Sequence, residues 1–395
     1  MKEHVEVVVV GGGVTGCSIT YYLAKEGVRV SLIERGELSS GCSGACFGGI
    51  MALSSKPPML DWIVRSIKLY DSLEEELEFD VGFERGGSYA LLNNESLWAE
   101  THDKAVELRD RGIDARIIDG NELREMEPAL GESVIGAITC PTDGWVVPMK
   151  TCYGFAKAAK RLGAEINTFT ELRDIEVRSG KVKSVSTDKG RIEADFVVNA
   201  AGAWAPSLGE MVGLRIPIYP LRGQVVVTER MPLLHLRYLV EVELMTKELL
   251  RVDARNKKSE GLGFAFLQYE EGNCMIGSNA EFADYDRKTT FDIIERILKR
   301  AVTFVPKLKN VSFIRTYAGL RPHSEDGLPI WGRVDTINGY ILATGQGGRG
   351  NCLAPLTGKL IAELITKGKP SINIDEFGLS RFEKEGYCTF PSSTD

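Results

Sequence analysis

Val5-Glu6-Val7-Val8-Val9-Val10-Gly11-Gly12-Gly13-Val14-Thr15-Gly16 is the stretch that decides the fold of this chain. The β-branched run from Val5 to Val10 reads as a strand buried on both faces. Gly11-x-Gly13-x-x-Gly16 turns it into a helix from Val14 to Lys25, with Ile19, Tyr22 and Leu23 on one side and Gly27 as its stop. A second strand, Val28 to Ile33, ends in Glu34 and Arg35. Strand, glycine turn, helix, strand and terminal acid together make a dinucleotide-binding unit. Gly13 lets the backbone approach a pyrophosphate seated on the helix N-terminus, and Glu34 accepts hydrogen bonds from ribose hydroxyls. Gly11, Val14, Thr15, Gly16 and Arg35 complete this part of the candidate site. The motif alone does not separate NAD from FAD.

Outward from this unit, a Gly/Ser/Cys-rich loop runs from Gly36 to Gly49, and helical patterns cover Asp61–Leu77, Ser96–Arg111 and Pro148–Leu162. The last has proline in its first turn and Gly163 after its end. Strands are expected at Phe83–Leu92, Glu165–Val177, Val182–Thr187 and Phe196–Asn199. The middle, Pro217 to Ile314, is strand-rich around one helix, Phe291 to Phe304. The final third returns to a strand at Tyr340–Ala343, a glycine-rich turn and a helix from about Ala354 to Ile365. Nucleotide-type pieces therefore lie at both ends and in the middle. The expected division is 1–82, 145–216 and 318–380 for the nucleotide domain, 83–144 and 217–317 for a substrate domain, and 381–395 as a tail.

The 395 residues are 43% hydrophobic and 26% charged, an ordinary globular composition. A net charge of −7 argues against a nucleic-acid partner, which needs a basic face. No apolar run reaches the roughly 20 residues that span a bilayer. The early run Val7 to Val10 ends in glycines, so no signal peptide is expected and the protein is placed in the cytoplasm. Eight scattered cysteines are not a disulfide framework. Cys42 and Cys46 form the one close pair, with no second pair to complete a metal site. They are read as reduced loop thiols, a redox role being the alternative.

Further blocks separate FAD from NAD. They are Ser39-Ser40-Gly41-Cys42-Ser43 through Gly48-Gly49-Ile50, then Val197-Val198-Asn199-Ala200-Ala201-Gly202-Ala203-Trp204-Ala205, and Pro220-Leu221-Arg222-Gly223-Gln224. Gly319-Leu320-Arg321-Pro322 with Asp326-Gly327-Leu328-Pro329-Ile330 follows, and then Ala343-Thr344-Gly345 leading to Leu353-Ala354-Pro355. Over almost its whole length the chain resembles the D-amino-acid oxidase superfamily of flavoproteins, which includes glycine oxidase, sarcosine oxidases and proline dehydrogenase subunits. The resemblance implies bound FAD. Ser43, Gly48 and Gly49 match the loop that wraps the pyrophosphate and passes the flavin ring. Leu172 matches the position at the adenine, and Ala201, Gly202 and Trp204 the strand end that touches the dinucleotide. Gly345, Gly348, Gly350, Asn351 and Cys352 precede a helix, beginning near Pro355, whose amides face the flavin pyrimidine. Arg321 matches the arginine that forks onto a substrate carboxylate. Arg349 adds positive charge at the flavin or helps hold substrate. Phe264, Phe266 and His323 are read as substrate-pocket residues, His323 as a structural or supporting one beside Arg321.

Departures from the family pattern shape the expectation. Glycine oxidases carry a tyrosine where this chain has Ala265, which reduces the polar clamp. Sarcosine oxidases place an oxygen-activating lysine where this chain has Met275, which favours an acceptor other than O2. Their flavin-linked cysteine has no counterpart between His323 and Gly332, so FAD is expected to be non-covalent. The expected fold is α/β, a Rossmann-type FAD-binding domain with an antiparallel-sheet substrate domain. The implied reaction is hydride transfer from the amine-bearing carbon of a small amino acid or amine to flavin N5, giving an imine. Electrons pass to O2, or to a partner protein or quinone. A flavin-bearing subunit of a hetero-oligomer is the second reading, with a homo-oligomer also open. A hydroxy-acid or glycerol-phosphate dehydrogenase is the third, although such chemistry wants a base and the chain has only His4, His102, His235 and His323.

Overall fold

The computed structural model describes residues 4–234, 237–243, 252–253, 258–259 and 261–385. Two eight-stranded sheets face each other across a long cavity. In the first, strands Tyr340–Thr344, Gly190–Asn199, His4–Val10, Val30–Ile33 and Glu165–Asn167 lie side by side and parallel. Val7, Val8 and Val9 are fully buried between covering layers, as a central parallel strand requires. Ile330–Arg333 adds an antiparallel edge, and Leu172–Arg178 with Lys181–Thr187 forms a ribbon on Gly190–Asn199.

The strand expected over 165–177 is two strands. Thr170 N–H donates to Glu34 O at 2.8 Å and Phe169 takes a positive φ of 49°, so the chain turns there and brings Leu172 beside the first glycine turn. The Asp61–Leu77 helix likewise divides into Met59–Tyr70 and Leu73–Leu77.

Helix Val14–Lys25 packs against Pro148–Arg161 and Gly350–Thr366. Close approach to the latter depends on Gly358, where a Cβ would overlap Ser18 Oγ. Ser18 in turn donates to Ala354 O at 2.8 Å. This last helix begins at Gly350, a full turn before the start expected from Pro355. Proline inside a helix leaves the carbonyl four residues back without its N–H partner. Here that carbonyl is Asn351 O, and the buried Tyr70 hydroxyl donates to it instead.

The second sheet runs Phe313–Ser324, Ile218–Thr228, Cys274–Phe282, Gly261–Gln268, Tyr238–Glu241, Ser88–Leu92, Gly136–Cys140, Arg116–Asp119. It is antiparallel except where Tyr238–Glu241 pairs in parallel with Ser88–Leu92, two strands supplied by distant parts of the chain. Strand Phe313–Ser324 runs unbroken through residue 318, where the sequence alone places a domain boundary. Alternation divides this sheet's residues between two faces. Phe264 and Phe266 pack outward against Ile294, Ile297 and Phe304 of helix Phe291–Phe304, with Phe264 stacked on Phe304 at 4.6 Å. Tyr238, Val240 and Ala265 face inward, toward the first sheet.

Candidate active site

The cavity between the sheets holds about 1400 Å³. Ordinary small-ligand sites run to roughly 300–1,000 Å³. A dinucleotide together with a second small molecule accounts for the difference.

At one end lie Gly11, Gly13, Val14, Thr15, Glu34 and Arg35. Gly11 takes a φ of 117°, and a Cβ there would come within 2.5 Å of Ala200 O. Gly13 caps the helix without a side chain, so its N-terminal amides open on the cavity, apart from Val14 N–H, which Ser43 takes. Ser43 reaches across from the Gly36–Gly49 loop, its Oγ accepting from Val14 N–H at 3.0 Å. Gly16 is not on the wall; a Cβ there would overlap Gly11 O, so its part is to seat the helix on the turn. Glu34 accepts from Gly12 N–H at 2.7 Å and Gly36 N–H at 2.8 Å, which fixes the carboxylate and leaves acceptor capacity for a ribose. Leu172, Ala201, Gly202 and Trp204 share this end, with Gly202 at a φ of 56°.

Towards the other end the wall carries Gly48, Gly49, Gly348, Arg349, Gly350, Asn351 and Cys352. Gly48 is needed because a Cβ would overlap Val146 O. Gly345 lies behind the wall, where its φ of 81° makes the turn out of strand Tyr340–Thr344. The N-terminus of helix Gly350–Thr366 thus opens on the cavity, a partial positive charge at that end. The donor set and the glycine cradles fit FAD along the whole length.

Arg321 supplies the sharpest polar feature. Its Nη1 donates to Asn279 O at 2.8 Å and its Nη2 to Ser278 Oγ at 2.7 Å. No carboxylate lies within ion-pair distance among the described residues, and burial pulls its pKa below the usual arginine value. Arg349 is in the same position: its Nη1 donates to Gly327 O at 3.3 Å, and burial lowers it too. A half-buried cation on a cavity wall, paired only with neutral oxygens, calls for an anion. His323, also on the wall, is pushed down to about 4, first by burial and then by Arg349. It is neutral at pH 7.

Two expectations change here. Phe264 and Phe266 do not reach the cavity, because the residue between them, Ala265, holds the inward position. Met275 is also absent from the wall; it is buried, with the Tyr317 hydroxyl 3.8 Å from its sulfur. Sequence reasoning passed over Tyr238, Ser278, Met51 and Gln346, all of which line the cavity. None belongs to a spaced motif, and Tyr238 enters on a strand next to Ala265 only through sheet pairing. Cys42, Cys46 and Cys352 line the wall as free thiols. Burial raises all three, Cys46 and Cys352 to about 12, which favours the protonated thiols at neutral pH. No group of side chains suited to a metal occurs among the described residues.

A buried carboxylate sets the wall that carries Met51 and Ser54. Asp143 accepts from Ala52 N–H at 2.7 Å, Leu53 N–H at 3.3 Å and Ser88 Oγ at 2.7 Å. Burial nevertheless raises its pKa from 3.8 to about 6. The native state therefore holds a proton that the unfolded chain has lost between pH 4 and 6, so this group's contribution to stability falls as pH rises through that window. His323, with a lowered value, acts in the opposite sense across an overlapping range. The difference between parent and Asp143→Asn isolates the carboxylate. Asn keeps one acceptor and cannot ionise, so the variant should gain on the parent by roughly 2–3 kcal/mol between pH 4 and 7. Urea unfolding at both pH values reads this directly; parallel curves would remove Asp143 from the loop's ionisation.

Comparison with known proteins adds four findings. The family model described as FAD dependent oxidoreductase matches residues 6–364. Glycine oxidase of Geobacillus kaustophilus is 31% identical over 392 residues, covering 96% of this chain and 98% of that protein. A hydrogen cyanide synthase subunit of Pseudomonas aeruginosa is 29% identical, covering 98% of each. Among solved structures, the L-proline dehydrogenase of P. horikoshii superposes with a TM-score of 0.87 at 30% identity, covering 98% of this chain and 99% of that one.

Proposed function

The chain belongs to the FAD dependent oxidoreductase family, and from that premise we propose that it oxidises the C–N bond of a small amino acid or secondary amine. FAD is the cofactor, and when bound it supplies the acceptor for a hydride leaving the amine-bearing carbon. The observation that carries the substrate class is Arg321, a half-buried guanidinium on the cavity wall held by Asn279 O and Ser278 Oγ, with no acidic partner among the described residues. A substrate carboxylate completes it. Names of relatives that act on glycine and proline support the same class.

Each residue then has a physical task. Gly11, Gly13, Ser43 and the helix amides behind them would hold the pyrophosphate, and Glu34 the ribose. Arg321 fixes the carboxylate end of the substrate, which orients the neighbouring carbon. Tyr238, Val240 and Ala265 present a mostly apolar wall that keeps water from the reacting carbon. The helix amides at Gly350 and the guanidinium of Arg349 favour negative charge at their end of the cavity. No acid–base pair is required if the amine binds neutral, and His323, held neutral at pH 7, suits neither a charged clamp nor a strong base. That weighs against a hydroxy-acid substrate. Anaerobic mixing with glycine, sarcosine, D-amino acids and both prolines tests the proposal: at least one should bleach the flavin and yield the matching carbonyl product. Bleaching only by hydroxy acids or glycerol phosphate would overturn it.

FAD attachment is proposed as non-covalent. The cavity thiols are held protonated by burial and make neutral contacts, Asn351 Nδ2 lying 3.0 Å from Cys46 Sγ. Acid precipitation should leave the yellow colour in the supernatant; colour retained in the pellet would contradict this.

An acceptor other than O2 is also proposed. A cation near the flavin stabilises the charge that forms as O2 takes an electron. Lys56, exposed on the cavity rim, is the only ammonium among the described wall residues, and the guanidiniums of Arg321 and Arg349 are assigned to the substrate carboxylate and to the flavin's own charge. Stopped-flow reoxidation in air-saturated buffer should be slower than turnover with an artificial dye. A rate in air that matches dye turnover would make the protein an oxidase.

A further inference from the structure

Residues 283–290 leave strand Cys274–Phe282 of the second sheet and return to it as helix Phe291–Phe304. Between those points the segment crosses to the nucleotide side and touches it in two places. Tyr285 Oη donates to Ala203 O at 3.2 Å, and its ring stacks on Trp204 with centroids 5.7 Å apart and planes 27° from parallel. Arg287 Nη2 donates to Ser40 O at 3.0 Å. Ala203, Trp204, Ser40 and Arg287 all line the cavity. Arg35, which follows the ribose-facing Glu34, lies with its guanidinium 4.3 Å from the Trp204 ring centre.

The segment is rooted in its own sheet between these contacts. Asp286 pairs with Arg222 at 3.1 Å and accepts from Lys288 N–H at 2.9 Å. Arg222 is itself buried and paired with Glu281 at 3.0 Å. One short segment, fixed at Asp286, thus grips the nucleotide side at the strand end after Gly202 and at the loop that carries Ser43. These are two of the backbones that enclose the dinucleotide. Arg287 also places a full positive charge on the wall beside that loop.

We propose that residues 283–288 form a clasp that retains FAD, with Tyr285 closing the adenosine end through Trp204 and Arg287 lending its charge to the diphosphate. The second sheet then contributes to cofactor retention as well as to substrate binding. FAD leaves when the clasp lifts, so its loss acts mainly on the release rate.

Release of FAD from the holoenzyme after dilution, followed as the rise in flavin fluorescence, tests this. Arg287 is exposed and its charge is screened by solvent, so Arg287→Met should speed release by about three- to fivefold. It should also flatten the dependence of FAD affinity on salt, because one charge facing the diphosphate is gone. Tyr285→Ala should speed release by about tenfold, and Tyr285→Phe, which keeps the stack, by less. Phe291→Ala is the control: Phe291 is 83% exposed and off the cavity wall, and its release rate should match the parent. Far-UV circular dichroism of each apoprotein establishes that the variants fold. If Tyr285→Ala does not fold, Tyr285→Phe and Arg287→Met carry the test. Release within twofold of the parent in the folded Arg287 and Tyr285 variants, with the salt dependence unchanged, would overturn the clasp. A parent that fails to take up FAD would instead overturn the cofactor assignment.

Discussion

Arg321→Met is expected to keep its FAD and to lose amino-acid turnover, with kcat/KM down by roughly 30- to 4,000-fold. That range corresponds to the ~2–5 kcal/mol lost when one partner of a desolvated, hydrogen-bonded charge pair is removed. The loss should appear first in KM, because the carboxylate is bound in the ground state as well as at the barrier. Met fills similar space without donors, so Asn279 O and Ser278 Oγ each lose one hydrogen bond but no packing collapses. The flavin spectrum serves as the internal control, since the Arg321 guanidinium donates to Asn279 O and Ser278 Oγ and not to the turn at Gly11–Gly16. Unchanged kinetics with an amino acid would remove Arg321 from the site.

Gly223→Ala is expected to have the second-largest effect, although residue 223 bears no functional group. Gly223 sits across from Gly319 in the ladder between strands Ile218–Thr228 and Phe313–Ser324. A Cβ on it would overlap the Arg321 guanidinium itself. The planar fork cannot bend away while keeping both Asn279 O and Ser278 Oγ. The substitution should cut kcat/KM by about 10- to 100-fold, since a misplacement near 1 Å costs on that order. Overpacking should cost a further ~1–3 kcal/mol of stability. Gly319→Ala separates the two effects, because a Cβ there meets Ala45 rather than the guanidinium. If Gly223→Ala lowers thermal stability but leaves KM unchanged, the guanidinium tolerates displacement and the geometric account of carboxylate binding fails.

The nucleotide end was legible in the sequence because its determinants are local. The turn at Gly11, the Gly13 helix cap and the acid at residue 34 lie within one strand–helix–strand unit, and their spacing alone brings them together. The Arg321 end was legible in part. Its resemblance gave the arginine, but not that Ser278 and Asn279 come from a separate strand to hold it. Phe264 and Phe266 were assigned to the pocket because they flank Ala265. Strict alternation along a strand puts flanking residues on the opposite face, where helix Phe291–Phe304 buries them. Tyr238 faces the cavity through a pairing between distant strands, for which no local pattern exists. The start of helix Gly350–Thr366 was hidden by Pro355. Tertiary contact overrode the local stop signal, since Tyr70 takes over the carbonyl that proline leaves without a partner.

Carboxylate anchoring and C–N oxidation are linked claims, and one anaerobic experiment joins them. The amino acid that bleaches the flavin fastest is mixed with holoenzyme in a stopped-flow cell, beside its primary amide at the same concentration. The amide keeps the amine-bearing carbon and its shape but offers Arg321 no negative charge. Bleaching by the amino acid, with the amide slower by about two orders of magnitude or more, is the expected result for a charge-assisted pair of this kind. Equal bleaching rates for acid and amide, or no bleaching by any amino acid, would contradict it.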